Sequence, residues 1–344
     1  MAYYPTERIT VAQAIPLTNG AVNRFSNIFP LDGTGWTKII LSFHGTVTWT
    51  NATLIDDHAF MRWIKGINLK TSRGEVIIDN VPGKAMWFFD ALHSGVTPAM
   101  NRVLGVNAAV YNATLELPFC LDFLNRPEDT IFNSGRYSNL QLDLATGTVL
   151  DFLNDAVGEA IAVTMDIEIE RTLSALSPDG KSTPYALPYF KTYGPFVQNA
   201  QNFFDLESSL DLGLFGFALF IAATGATAPF DGAATQGAGV DNLTNLTMRD
   251  SVRTWVDTAL PWALKHELLA RIPFSPENIY IATPAITEQI TYPLLGWYKH
   301  EFVQFGSINE HYPTGKKSLI RVTWTDATAT DIGNLFVWGM RALR

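Results

Sequence analysis

The sequence predicts an all-β chain with a few short helices, folded as two antiparallel sandwiches in tandem. Three observations carry this expectation. Segments such as Met165 to Leu173, where Met165, Ile167 and Ile169 interleave with Asp166, Glu168 and Glu170, have the two-residue period of a half-buried strand. Strand follows strand in the first half with no long helix between them, which fits a two-sheet sandwich and not a repeating strand-helix-strand fold. The 344 residues exceed what one hydrophobic core usually holds, so two units of roughly 150–170 residues are expected.

In chain order, strands are expected near Arg24 to Pro30, Lys38 to Trp49, Ala59 to Leu69 and Glu75 to Asn80. A short helix, Lys84 to His93, follows. Strands resume at Ala108 to Phe119, where Ala113, Leu115 and Leu117 alternate with Thr114 and Glu116, and at Ser138 to Ala145, where Leu140, Leu142 and Leu144 alternate with Gln141 and Asp143. A weak strand at Thr148 to Leu153 and a strong one at Ala162 to Leu173 complete the set of about eight.

Ser174 to Pro188, with Pro178-Asp179-Gly180 and two further prolines, reads as a turn-rich link. The second half opens with strands at Asn202 to Leu210 and Leu212 to Ala223. The latter (LGLFGFALFIAA) is the most hydrophobic stretch of the chain. Gly213, Gly216, Thr224 and Gly225 interrupt it too soon for a membrane-spanning helix, and Phe215, Phe217 and Leu219 are expected on one pleat face of a buried strand. A Gly, Ala and Thr-rich loop, Thr224 to Gly239, comes next, and Met248 to Ala270 is the longest helix candidate, kinked or restarted at Pro261. Strands near Ile279 to Thr283, Leu294 to Gln304, Lys317 to Thr325 and Asn334 to Ala342 close the chain; in the third, Ile320, Val322 and Trp324 alternate with Arg321, Thr323 and Thr325.

Composition limits the function classes. Charged residues make up 17% of the chain against the usual quarter, and apolar residues 47%, so either the core is large or partner subunits cover much of the surface. For each of the nine tryptophans the core is the first reading and an interface the second. A net charge of -9 with no basic cluster larger than Lys316-Lys317, or Arg341 with Arg344, argues against an extended nucleic-acid surface. Residues 1–10 lack an apolar run, so no signal peptide is expected, and the sequons at Asn51, Asn112, Asn242 and Asn245 are read as coincidence.

No residue is assigned to a catalytic, cofactor-binding or metal site. Cys120 is the sole cysteine and is expected to act as a small buried apolar residue. The histidines at 44, 58, 93, 266, 300 and 311 show no ligand spacing, and the adjacent pairs Asp57-His58 and His300-Glu301 would point to opposite strand faces. Neither a GxSxG nor a GxxxxGK[ST] motif is present. Asp166, Glu168 and Glu170 are read as the polar face of one strand and not as a catalytic dyad.

The run LPFCLDFLNRPEDTIFNSGRYSNLQLDLATGT, Leu117 to Thr148, followed by MDIEIERTL, resembles the double jelly-roll major capsid proteins of tailless icosahedral viruses, bacteriophages and membrane-containing viruses among them. In that family a strand ending near a Leu-Pro-Phe type turn leads through a Pro-Glu-Asp-Thr type loop into a strand like SNLQLDL. The resemblance implies two tandem antiparallel eight-stranded jelly-roll sandwiches: an N-terminal arm at 1–20, a first roll at 21–175, a linker at 176–190 and a second roll at 191–344. It further implies a structural capsid protein of the virion, assembled in the host cytoplasm and not an enzyme. Homotrimers of pseudo-hexagonal outline would tile an icosahedral shell, with neighbouring capsomers, minor capsid and vertex proteins as partners. An underlying viral membrane would be met through the inner face or the termini, with no direct sequence-specific nucleic acid binding and no cofactor. Two other readings stay open: a viral vertex, spike or adhesin protein, and a carbohydrate-active β-sandwich.

Overall fold

The computed structural model describes residues 5–48, 55–56, 59–94, 101–105, 108–152, 160–175, 186–198, 202–222, 242–258, 263–264, 277–283, 285–291, 296–315, 317–328 and 330–343. In the first half lie β1 (Thr6–Pro16), β2 (Val22–Phe25), β3 (Thr34–Thr48), β4 (Ile55–Asp56), α1 (Ala59–Trp63), β5 (Ile64–Thr71), β6 (Val76–Val81) and α2 (Gly83–Ser94). They are followed by β7 (Asn101–Gly105), β8 (Ala108–Pro118), β9 (Phe132–Asn133), β10 (Leu140–Thr146), α3 (Val149–Phe152) and β11 (Ala160–Ala175). The second half holds β12 (Ala186–Val197), β13 (Phe203–Asp205), β14 (Leu212–Ala222), β15 (Leu243–Asp250), β16 (Thr254–Thr258), β17 (Glu277–Thr283) and β18 (Ala285–Thr291). It ends with β19 (Trp297–Glu301), β20 (Tyr312–Pro313), β21 (Ile320–Asp326) and β22 (Ile332–Ala342).

Each half is a sandwich, and one sheet runs through both. A six-stranded sheet, β1-β11-β3-β8-β7 with β9 beside β3, covers the first half. A nine-stranded sheet, β19-β14-β22-β12-β6-β5-β10-β2 with β20 on β14, supplies the opposing layer to both halves, and a four-stranded sheet, β13-β21-β15-β16, closes the second. The junction is the parallel pairing of β12 with β6 at Phe190↔Ile78 and Lys191↔Asp79. All other pairings among the described strands are antiparallel, including that of β4 with β17, which links a loop of each half. The first core lies between Ile39, Leu41 and Phe43 of β3 and Ile67, Leu69, Leu142 and Leu144 of β5 and β10; the second lies between Phe217, Leu219, Leu335 and Val337 and Leu246, Met248, Val322 and Trp324.

Every residue of β14 is buried, because its sheet is covered on both faces. One face meets the second core. The other meets α2, which leaves the first half after β6 and lies across β12, β14, β19 and β22. Nine of the twelve α2 residues are buried, as expected of a helix apolar all round.

The strands expected around β3, β6, β8, β10, β11, β14, β21 and β22, and the helix at α2, are present with shifts of a few residues at their ends. Four expectations are corrected. Phe215 does not share a face with Phe217 and Leu219: a register shift between Leu214 and Gly216 turns Phe215 toward the first core while Phe217 and Leu219 enter the second. The helix expected over Met248 to Ala270 begins as a hairpin, β15 and β16, turned by the Asp250 carboxylate, which accepts from the backbone N–H of Val252 (2.7 Å) and Arg253 (2.9 Å). Beyond 258, all of that segment except 263–264 lies outside the described residues. Residues 59–63 form α1, with strand only from Ile64. The weak strand at Thr148 to Leu153 is the helix α3, capped where Asp151 Oδ2 accepts from Thr148 N at 2.7 Å and Thr148 Oγ1 at 3.1 Å. The loop at 224–239 and most of the link before Pro188 fall outside the described residues; residues 186–190 run as the start of β12, and residues 6–16 of the expected arm run along the edge of the first sandwich as β1.

Candidate functional site

Asp166, Glu168 and Glu170 lie on the outer face of the six-stranded sheet, each beside a polar partner on a neighbouring strand. β11 pairs with β3 through Asp166↔Ser42 and Glu168↔Ile40, and β3 with β8 through Lys38↔Pro118 and His44↔Asn112, so the even-numbered side chains of three strands share one face. Lys38 Nζ reaches Glu116 at 2.8 Å and Glu170 at 3.8 Å; Arg8 reaches Glu168 at 3.6 Å; His44 Nε2 lies 3.3 Å from Asp166, and His44 Nδ1 2.8 Å from Asn112. Asp166, Glu168 and Glu170 therefore do not converge on a substrate. Each belongs to a cross-strand pair of a half-solvated face.

At one edge of this face the pairs run into a cavity of about 130 Å³ between β3, β8 and α2, lined by Lys38, Asp90, Glu116, Asp122 and Glu170 with His93 and Cys120. Burial, then the Glu116 charge, pushes Asp90 up to about 6, and burial also raises Asp122. The Cys120 thiol is pushed far up by burial and by Asp122, Glu128 and Glu170, which keeps it protonated and removes it as a nucleophile.

A larger cavity of about 580 Å³ opens between the two halves, walled by Arg73, Glu75 and Asp79 from the first and Tyr189, Glu207, Asp211 and Arg341 from the second. Glu207 is its centre: it accepts from Tyr189 Oη (3.0 Å) and Arg341 Nη2 (3.1 Å) and lies 3.6 Å from Lys191, which bridges to Asp79 at 2.9 Å. These contacts tie the halves together. Ser209, in the same wall, donates its hydroxyl to the Asp211 carboxylate.

His300 and Glu301 point to opposite faces: the His300 ring packs on Phe217 and Phe302, while Glu301 accepts from the buried Lys299 at 2.8 Å and lies 4.0 Å from His93 on α2. His311 Nδ1 lies 2.9 Å from the Ile308 carbonyl. Asp57, His58, His266 and Asn51 lie outside the described residues. Trp36, Trp63, Trp87, Trp297, Trp324 and Trp338 are buried, and Trp255, half-buried, carries the Arg253 guanidinium 3.4 Å above its ring. Exposed large apolar residues include Leu210, Val252 and Phe305, on loops of the second half.

The sequence reading passed over one polar cluster. Asp326 at the end of β21 and Asp331 before β22 are both buried, and their carboxyl groups lie within hydrogen-bonding reach of each other; burial and this contact push Asp326 up to about 6 although Thr328 N donates to it. The only sequence signal was a pair of aspartates five positions apart in a turn. Their companions, Gln198 and Asn242, arrive through strand pairing far along the chain. Among the described residues, no group of three or more His, Cys, Asp and Glu side chains is arranged to hold a metal ion, and no helix is long and apolar enough to cross a membrane.

No protein-family model matches the sequence, and no curated protein matches it. Solved structures do. The chain is similar to the major capsid protein of Sulfolobus Turreted Icosahedral Virus at 12% identity and a TM-score of 0.67, over 98% of this chain and 97% of that one. It is similar to the major capsid protein of bacteriophage PM2 at 8% identity and 0.57, over 99% and 98%, and to the Faustovirus major capsid protein at 7% identity and 0.57, over 100% and 92%. At such identities the likeness is one of fold, and it spans the chain: two jelly rolls in tandem.

Proposed function

We propose that this double jelly-roll chain is the major capsid protein of a tailless icosahedral virus, a structural component of the virion and not an enzyme. The observation that carries the reading is the agreement in fold over nearly the full length of both chains with capsid proteins of viruses as different as Sulfolobus Turreted Icosahedral Virus and bacteriophage PM2. Fold alone does not make function. The geometry adds a reason of its own. Because β12 runs parallel to β6 in one continuous sheet, the two rolls stand side by side with strands in common alignment, giving a block with loops at two ends and sheet faces on its sides. Such a block meets its copies through its side walls, and closed symmetric assembly requires repeated contacts of that kind.

The finer parts of the proposal are an arm at 1–20, rolls at 21–175 and 191–344 joined by 176–190, and trimers of pseudo-hexagonal outline. Neighbouring capsomers, minor capsid and vertex proteins, and a membrane met through the inner face or the termini complete it. The test is light scattering and electron microscopy of the purified protein at physiological salt. Trimers that image as six-lobed rings are expected; a strictly monomeric protein at all accessible concentrations overturns the reading.

A further inference from the structure

We propose that the turn between β21 and β22 is a binding site for a hard divalent cation, calcium by its ligand chemistry, held by Asp326 and Asp331 with the Gln198 side-chain oxygen. The two carboxyl groups face each other in a corner where Asp326 is 8% and Asp331 2% exposed. Asp326 Oδ1 accepts from Thr328 N at 2.7 Å, but Asp326 Oδ2 is buried and has no donor. Gln198 brings a second such oxygen: its backbone N–H binds the Asp331 carbonyl at 3.1 Å, its Nε2 lies 3.3 Å from the Asp326 carbonyl, and its Oε1 is buried without a donor. On the other side, Asn242 Nδ2 donates to Asp331 Oδ2 at 2.9 Å and fixes that carboxylate.

The corner thus gathers acceptors in excess of donors. A buried acceptor left unsatisfied costs free energy, and two carboxylates in contact repel, unless a positive charge stands between them. Among the described residues, no lysine or arginine forms an ion pair with either carboxylate. Calcium takes 6–8 oxygen ligands from carboxylates, amide and backbone carbonyls and water, at about 2.3–2.6 Å, and needs no His or Cys. Three protein oxygens with two formal negative charges, beside the exposed Ala327, Thr328 and Thr330 where water enters, make a site of the weak class, with a Kd of about 10⁻⁴–10⁻³ M.

The test uses the whole protein, freed of metal with EDTA at neutral pH and then titrated with calcium chloride, with magnesium chloride as the control. Saturating millimolar calcium is expected to raise the melting temperature by about 2–5 °C. Asp326→Asn is expected to abolish the rise and, without calcium, to melt no lower than the wild type, because the amide ends the carboxylate repulsion. Terbium luminescence sensitised by Trp324, on the same strand, gives a second readout, and Gln198→Ala is expected to weaken terbium binding at least ~5-fold. A wild type indifferent to calcium, as a proton shared between the two aspartates would make it, overturns the proposal. So does an Asp326→Asn protein that responds to calcium as the wild type does; should that variant not fold, unchanged terbium affinity in Gln198→Ala overturns it instead.

Discussion

The Phe88 ring stacks on the Trp297 indole with centroids 4.0 Å apart and planes 7° from parallel. Phe88 belongs to α2, an insertion of the first roll, and Trp297 to β19, the edge strand of the second. Phe89, the next residue, meets Phe190, Phe336 and Trp338 edge-on, and Lys84 lies over Phe220. The helix is therefore the mortar between the rolls, and the both-face burial of β14 follows from it.

Phe88→Ala is expected to destabilise the protein by about 3–5 kcal/mol, the range for truncating a buried aromatic. Because the lost contact joins a helix of the first roll to an edge strand of the second within one shared core, unfolding should also separate into two transitions. Urea titration followed by tryptophan fluorescence and by circular dichroism checks both points. Coincident transitions with a loss below ~1 kcal/mol would show that the rolls are coupled without this stack, through contacts such as the β6–β12 pairing and the Lys191–Asp79 bridge.

Gly216 faces Trp338 across β14 and β22, and a Cβ at this position would lie 2.5 Å from the indole Cζ2. Gly216→Ala should cost about 1–3 kcal/mol by overpacking. In a Trp338→Leu background the indole clash is gone but the His300 carbonyl oxygen stays 2.9 Å from the new Cβ, so the cost should fall in part, giving a coupling of at least ~0.5 kcal/mol in a double-mutant cycle. Strictly additive losses would place the strain elsewhere.

Gly216 also marks how far the sequence could be read. The apolar run at 212–222 indicates a buried strand, but simple alternation misassigns its faces; the sole hint of the register shift at Leu214/Gly216 is the glycine itself, since no polar residue in the run marks a face. Alternating strands such as β11 were legible because one face meets water: Asp166, Glu168 and Glu170 alternate with core residues, and their partners Arg8, Lys38 and His44 are supplied by neighbouring strands. β12 was masked by Pro188 and Pro195, residues that normally argue against a central strand. Pro188 is tolerated because β6 pairs only with Phe190 and Lys191, leaving β22 as its one flanking strand there. The helix misread at Met248 has a similar cause, since the contacts that turn the chain at Asp250 come from Tyr312 and Lys317, more than sixty residues away. The Asp326 corner was hidden for the same reason: two of its four residues come from other strands.

Asp250 accepts from Val252 N, Arg253 N, Trp255 Nε1 (2.7 Å) and Tyr312 Oη (2.8 Å), with Lys317 Nζ at 3.0 Å. Burial alone would raise its pKa, but these donors hold it well below the usual carboxylate range. Its contribution to stability is thus present at and above the ordinary value of 3.8 and is lost only as pH falls through the depressed one. Asp250→Ala leaves a hydroxyl, an indole N–H and a lysine without their acceptor and should cost about 3–5 kcal/mol in thermal or urea unfolding. Asp250→Asn, which keeps the shape and loses the charge, should fall between the two. Equal stability of Asp250→Ala and wild type would remove the carboxylate as the organiser of the β15–β16 hairpin.

Asp90 carries the opposite sign. It lies on α2 facing Lys38 of β3, Glu116 of β8, Glu170 of β11 and Asp122 after β8, with His93 one turn along its own helix. One cation among four carboxylates leaves Asp90 with a folded-state pKa of about 6 against its ordinary 3.8, mainly through burial and then through Glu116. A carboxyl group whose pKa rises on folding binds its proton more tightly in the native state, so it favours folding most below 3.8 and that favour is lost as pH climbs through about 6. Asp90→Asn, neutral at every pH, should therefore melt above the wild type at neutral and higher pH. The difference between the two should shrink between about 6 and 3.8 and be smallest at the acid end, where the wild-type side chain is itself neutral. Scanning calorimetry of both proteins across that window decides the matter: a difference in melting temperature that does not change with pH would mean that Asp90 does not titrate there. The same cavity joins α2 to the first roll's sheet, so the charge on Asp90 bears on the helix that also holds the second roll through Phe88 and Trp297.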